Sequence, residues 1–218
     1  MVDELGRAIC EGSLAPGAVL TVEELEASTG ASRSVVRESA RVLASLGLLR
    51  PTKRVGMVVL GEAEWNLFDG QVIRWRLDSA HRQRQMRELS EIRLAVEPEA
   101  ARMAALRASP EICGRIVSAA GILWATGANG SNADFGEQDG CFHRLVLEAS
   151  GNTMYARLTD VINESLRDRA LVQLHDMPMD RADVQLHVDL AGFIQRRDGE
   201  AAAQCARQII VRANGWAD

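Results

Sequence analysis

The spacing of apolar residues changes character about 60 positions into the chain. The first stretch alternates short periods. "LGRAICEG" carries a brief helical period that stops near Gly12, and "SLAPGAVL" reads as a turn followed by an extended piece. "TVEELEAS" begins with an N-capping threonine and acids in its first turn, which marks a helix start. "SRSVVRESARVLASLG" opens on Ser32 as N-cap and closes on Gly47 as the residue past the helix end. Val35, Val36, Ala40, Leu43 and Leu46 are its expected inner face. "LLRPT" and "GMVVL" then alternate with period two around the basic tip "KRVG". Helix, helix, turn, helix and β-hairpin is the order of a winged helix-turn-helix.

Beyond residue 61 the period is helical almost throughout. "EWNLFDGQVIRWRLDS" repeats Trp65, Phe68, Val72 and Trp75 at three- and four-residue steps and predicts one helix. A long helix follows through "RQMRELSEIRLAVEPEAARMAALRAS", with Pro98 expected to kink it or mark a junction. Further helices are expected over 111–126, 134–149, 153–173, 182–197 and 200–214. Loops are expected at "TGANGSNA", "SGN", "HDMPMD" and "RDG". The expected fold is therefore mostly α: a winged helix-turn-helix over residues 1–61 and an all-helical body over 62–218.

Composition narrows the class. The 218 residues are 47% hydrophobic and 25% charged, an ordinary globular mixture. No apolar run reaches the roughly 18–20 residues of a membrane span. "MVDELGRAIC" has acids and no apolar centre, so it does not read as a secretory signal. Cys10, Cys113, Cys141 and Cys205 are scattered, which suits reduced thiols in a cytoplasm.

Charge distribution says more than its sum. The net charge is −5. Residues 1–32 hold one base and six acids, whereas residues 33–54 hold six bases and one acid. A basic patch on an acidic chain is a footprint for a polyanion. Arg33, Arg37 and Arg41 recur every four residues on one face of the second motif helix, the element that enters the major groove in this architecture. Arginine matches guanine O6 and N7 with two parallel hydrogen bonds. Ser32 and Ser34 suit phosphates at the helix N-terminus. Lys53 and Arg54, with Gly56 permitting close approach, suit a wing against the DNA backbone or the minor groove.

"LAPGAVLTVEELEASTGASRSVVRESARVLASLGLLRPTKRVGMVV" resembles the DNA-binding head of GntR-type transcription regulators, through "L-x-P-G", "S-R-x-x-V-R-E" and "G-L-L". The resemblance implies that Arg33 and Arg37 read bases and that Lys53 to Gly56 form the wing. It departs at Glu23, where the family often has a basic residue.

In the body, Phe135, Asp139, Phe142, His143 and Val146 share a helix face, as do His187, Leu190, Ala191 and Ile194. Ionisable groups on apolar faces are costly unless paired or bound to metal. Histidine with carboxylate suits zinc, nickel or manganese. The body resembles the FCD domain of the FadR subgroup, through "E-I-R-L-A-V-E-P-E-A-A", "D-x-x-x-H", "A-S-G-N" and "R-R-D-G-E-A-A". The resemblance implies a divalent metal held by one aspartate and three histidines beneath a carboxylate effector. Asp139, His143 and His187 match three ligands, and Ile209 stands at the fourth. It also implies that Arg93 faces the effector, against the plainer expectation of a surface arginine paired with Glu97.

Two versions of the site follow. In one, three residues hold a metal, with Cys205 a candidate substitute ligand. In the other, which we favour on sequence, Asp139, His143 and His187 bind the effector without metal. "WNLFDGQVIRWRL" is similar to sugar-acid regulators of the family, galactonate-type repressors among them, which implies an aldonate-like effector. The expectation is a homodimeric, cytoplasmic repressor released from operator DNA by a small carboxylate. A metal-dependent hydrolase or lyase using the same three residues is the alternative.

Overall fold

The structure is a computed structural model that describes residues 1–129, 132–170, 180–213 and 215. Parts of the expected loops at "TGANGSNA" and "HDMPMD", and residues 171–173 of the helix expected to end there, lie outside the described residues. The chain forms two compact units, Met1–Gln85 and Met86–Asp218.

The first unit holds α1 (Val2–Glu11), β1 (Val19–Leu20), α2 (Val22–Thr29), α3 (Arg33–Ser45), β2 (Leu49–Thr52), β3 (Gly56–Val59) and α4 (Gly70–Leu77). Thr21 and Glu24 form a reciprocal capping box at the start of α2, a device that stabilises a helix start by about 1 kcal/mol. The sheet order is β1-β3-β2, all antiparallel. Val36, Ala40, Leu43 and Leu46 are buried as expected, but Val35 is 49% exposed. In its place Ser39, one step along the buried stripe, faces inward.

The helix expected from Glu64 is shorter. Asp69 caps α4 by accepting from the Gln71 N–H at 2.8 Å, so the helix begins at Gly70. Trp65 sits in the irregular stretch before it, with its indole N–H on the Leu60 carbonyl at 3.1 Å. Phe68 is 58% exposed. Val72 and Trp75 join the core of the first unit, and the Trp75 indole donates to Asp3 at 3.1 Å. The first compact unit, which includes this helix, runs to Gln85.

The second unit is a bundle of α5 (Arg82–Arg107), α6 (Pro110–Asn129), α7 (Asn132–Ala149), α8 (Thr153–Ala156), α9 (Thr159–Asp168), α10 (Arg181–Gln195) and α11 (Gly199–Ala213), α5 beginning in the first. Helix α5 continues through Pro98. The helix expected from 153 is instead two, α8 and α9. The core gathers Ile116, Leu123, Phe142, Leu190 and Ile194 with many alanines. A smaller cluster of Ala100, Leu147, Ile162 and Leu166 holds α9 to α5 and α7. Among the described residues no helix is long and apolar enough to cross a membrane.

Candidate functional site

Helix α7 carries Asp139 and His143 one turn apart on its buried face, and α10 brings His187 to meet them. The three are 4%, 3% and 3% exposed. One potential ligand atom from each lies within 4.8 Å of the other two. Phe142 packs beside the cluster, its ring 5.8 Å from His143 and 5.3 Å from His187, edge to face.

The outer nitrogen of each imidazole is held. His143 Nδ1 contacts the Glu97 carboxylate, which can only accept a proton donated to it. His187 Nδ1 lies 2.9 Å from the Asp183 carbonyl oxygen, also an acceptor. Each ring is thereby fixed with its Nε2 toward Asp139. His143 Nε2 and His187 Nε2 stand 3.4 and 3.0 Å from Asp139 Oδ1. None of these three atoms has a hydrogen-bond partner among the described residues. Three buried polar atoms thus converge on one point in a dry interior, an arrangement that a shared proton or a bound cation makes favourable.

The residues therefore fit a divalent metal. They offer two imidazoles and one carboxylate, with outer contacts that orient the rings. Ile209 is buried in the apolar core and supplies no ligand. Cys205 does not replace it: its thiol donates to the Leu186 carbonyl at 3.2 Å, and burial pushes its pKa up to about 12.

Arg93 is 3% exposed and donates from Nε to Glu97 at 2.5 Å. The pair with Glu97 expected from the sequence forms, but inside the body rather than on its surface. Its Nη2 has no hydrogen-bond partner among the described residues. Burial raises the Glu97 pKa, yet Arg93 and His143 outweigh it and bring it down to about 2. Burial alone would lower that of His143, but Glu97 and Asp139 lift it to about 9. Asp139, despite its own burial, is held well below the carboxylate range by the two histidines.

Two polar groups beside this cluster escape a sequence reading. Gly140 lets α9 approach so closely that a Cβ there would fall 2.8 Å from Asn163 Oδ1, an atom without a hydrogen-bond partner among the described residues. Arg169 is largely buried, 3.7 Å from Asp183. Burial lowers its pKa against the pull of Asp139 and Asp183. Its place four residues after buried Ser165 was the available signal.

On the first unit, Ser32, Arg33, Ser34 and Arg37 are exposed along the start of α3. Ser32 is the N-cap residue but its hydroxyl makes no capping bond. Lys53 and Arg54 are exposed at the hairpin tip, with Arg54 at φ 63°. Gly56 has φ 128°, and a Cβ there would meet the Leu20 carbonyl at 2.7 Å. Its glycine is required by β3 lying against β1.

A winged helix-turn-helix with exposed arginines on its second helix, in one chain with a helical bundle that buries a polar cluster, defines a ligand-responsive DNA-binding transcription regulator. The chain belongs to the gntR family of bacterial regulatory proteins, whose family model matches residues 1–59, with an FCD domain matched over residues 88–212. It is 32% identical over 214 residues to the galactonate operon transcriptional repressor of Escherichia coli (strain K12), covering 96% of this chain and 92% of that one. It is 27% identical over 197 residues to a probable D-xylose utilization operon transcriptional repressor of Paenarthrobacter nicotinovorans, covering 89% and 76%. The fold is shared with a GntR protein of Streptococcus agalactiae (TM-score 0.57, 23% identity, 99% and 98% covered). It is also shared with Lar, which controls expression of the Listeria monocytogenes agr system (TM-score 0.63, 14% identity, 97% and 92% covered). These are all transcription regulators, so the hydrolase or lyase alternative is not favoured and the chain is not an enzyme.

Proposed function

We propose that this regulator is a repressor of a sugar-acid catabolic operon, released from its operator when a small polyhydroxylated carboxylate binds in the body. The observation that carries the reading is the convergence of Asp139 Oδ1, His143 Nε2 and His187 Nε2, unpartnered and buried, with the unpaired Nη2 of Arg93 on the neighbouring α5. Acceptors that need a cation and a guanidinium that needs an anion together suit a metal with a carboxylate. This supports the metal-bound version of the site, which the sequence alone ranked second.

In this reading Asp139, His143 and His187 hold zinc, nickel or manganese, whose open positions would accept carboxylate or hydroxyl oxygens of the effector. Glu97 orients His143, and the Asp183 carbonyl orients His187. Arg93 receives the effector carboxylate through its free N–H. Asn163 on α9 and Arg169 just past its end supply further polar contacts. The similarity to the galactonate operon repressor supports an aldonate as effector.

On the head, Arg33 and Arg37 read bases, Ser32 and Ser34 take phosphates, and Lys53, Arg54 and Gly56 form the wing. A homodimer would present two heads to a palindrome. Its interface is supported by an exposed face on α6 and α10, where Val117 and Trp124 flank Val188 across the small residues Gly121 and Gly192. Effector binding shifts the population from a DNA-competent to a released state. A cytoplasmic setting follows from the DNA target.

The test is a thermal-shift screen of sugar acids with and without a chelator. One aldonate should raise the melting temperature of metal-loaded protein and lose most of that effect after chelation. A screen in which no sugar acid stabilises either form would contradict the reading.

A further inference from the structure

Among the described residues only two other than glycine have positive φ, Arg54 at 63° and Arg197 at 64°. The second is accounted for within the fold, because its guanidinium donates to the Ala105 carbonyl at 3.1 Å. Arg54 is different. It is the middle of the three residues joining Thr52 to Gly56, which pair across β2 and β3. The Val55 N–H donates to the Thr52 carbonyl at 3.1 Å, so Arg54 is the third residue of a tight turn, where positive φ favours glycine or asparagine. An arginine there costs stability that a glycine would not. Its side chain is exposed and makes no ion pair or hydrogen bond among the described residues, so nothing in the fold offsets the strain.

The tip is also edged with apolar surface. Val55 follows Arg54 and is 48% exposed. Val19 on β1 is 44% exposed, its Cγ1 only 3.3 Å from where a Cβ on Gly56 would stand.

We propose that Arg54 is a minor-groove reader, whose guanidinium enters a narrowed groove beside the α3 half-site and makes the regulator prefer A·T pairs there. The proposal rests on the hairpin being the wing. A phosphate contact would need only a cation, which Lys53 supplies from an unstrained position, and it would leave Val19 and Val55 facing water and charge. The minor groove suits both features. Its sugar walls accept apolar side chains, and a narrow A·T stretch concentrates negative potential that attracts arginine. A guanidinium is more weakly hydrated than an ammonium and loses less on entering. The floor offers adenine N3 and thymine O2 as acceptors, whereas guanine adds an N2 amino donor that a guanidinium cannot accept. Strain at a functional tip of this kind is retained for what the side chain does there.

The test compares full-length wild type with Arg54→Gly, which keeps the turn and removes the cation. Affinities are measured by fluorescence anisotropy, over a salt series, for an operator the protein has itself selected from a random pool. In further duplexes each A·T pair outside the α3 contacts is replaced by G·C or by inosine·cytosine, which lacks the N2 amino group. At one such step G·C should weaken wild-type binding about tenfold, and inosine·cytosine should restore it. Arg54→Gly should lose that preference, while its melting temperature rises by about 2–4 °C as the strain is removed. A selected operator without A·T pairs at such a step, or inosine·cytosine no better than G·C, would overturn the proposal. So would a loss in Arg54→Gly that is equal on every duplex, which puts Arg54 on a phosphate and leaves the wing in place. Unchanged affinity and salt slope on every duplex would instead take the hairpin off the DNA, and the wing reading would fall with the proposal.

Discussion

His187 Nε2 stands 3.0 Å from Asp139 Oδ1, yet neither atom has a hydrogen-bond partner among the described residues. The contact is close enough for an ion pair, and His143 Nε2 lies near the same oxygen at 3.4 Å. Helices α7 and α10 place the two side chains, and the Asp183 carbonyl fixes the imidazole between them.

From this follows a metal dependence of stability. Chelation should lower the melting temperature, and zinc, nickel or manganese should restore it. At a free metal concentration about 100 times Kd the gain is about 2.7 kcal/mol. His187→Ala should abolish the response. A melting temperature indifferent to chelator and metal would remove the metal from the account.

The Glu97 carboxylate is tied to both Arg93 and His143 in a dry interior. Glu97→Gln leaves two donors facing a weaker partner. By analogy with broken buried ion pairs, it should destabilise by about 3–5 kcal/mol in urea titration. Arg93→Met with Glu97→Met should cost less than Glu97→Gln alone, because no buried charge is stranded.

The same residue predicts an acid limb. Its folded pKa is lowered to about 2, below the ordinary value of about 4.3. A depressed carboxylate contributes stability that is present above the unfolded pKa and lost as pH falls through the folded one. Of wild-type stability, roughly 3 kcal/mol should therefore disappear between about pH 5 and pH 2. Glu97→Gln should show a correspondingly shallower loss over that window, measured by urea titration at each pH.

Much of the head was legible because its signals are local. Thr21 with Glu24 announces a helix start from sequence, and the capping box is there. Asp69 before Gly70 carried the same kind of signal. It was overridden by the period of Trp65, Phe68, Val72 and Trp75, because aromatic residues in an irregular stretch can mimic a helical repeat. Val35 was misplaced since a helix of 3.6 residues per turn leaves one flank of an apolar run at the edge of the stripe. In the body, periodicity showed that Asp139, His143 and His187 face inward. It could not show that Glu97, from another helix, would meet His143 Nδ1. Nor could it show that Gly140 would admit Asn163. Those pairings depend on how helices cross, which no single helix encodes.

Cys205 gives a sharper check on the ligand count. Its thiol is engaged with Leu186 and its pKa is pushed up to about 12, so it stays protonated at neutral pH. Cys205→Ala should leave the metal-induced melting shift intact and lower stability only slightly. A lost shift in that variant would place sulfur among the ligands.

Wing and recognition helix should separate by salt and sequence. Arg37→Ala should weaken operator binding by about 1–3 kcal/mol and relax preference at one base pair, whereas Lys53→Ala should weaken all DNA alike and reduce the salt slope by about 1. Anisotropy titrations on operator and point-substituted duplexes would read both effects.

The most direct test of the central claim is release of the selected operator by a panel of aldonates, followed by anisotropy in wild type, Arg93→Ala and His187→Ala. The account predicts that one aldonate frees DNA from the wild type, and that both variants hold the operator normally but no longer let go. Release by that aldonate at the same concentration in all three proteins would contradict it.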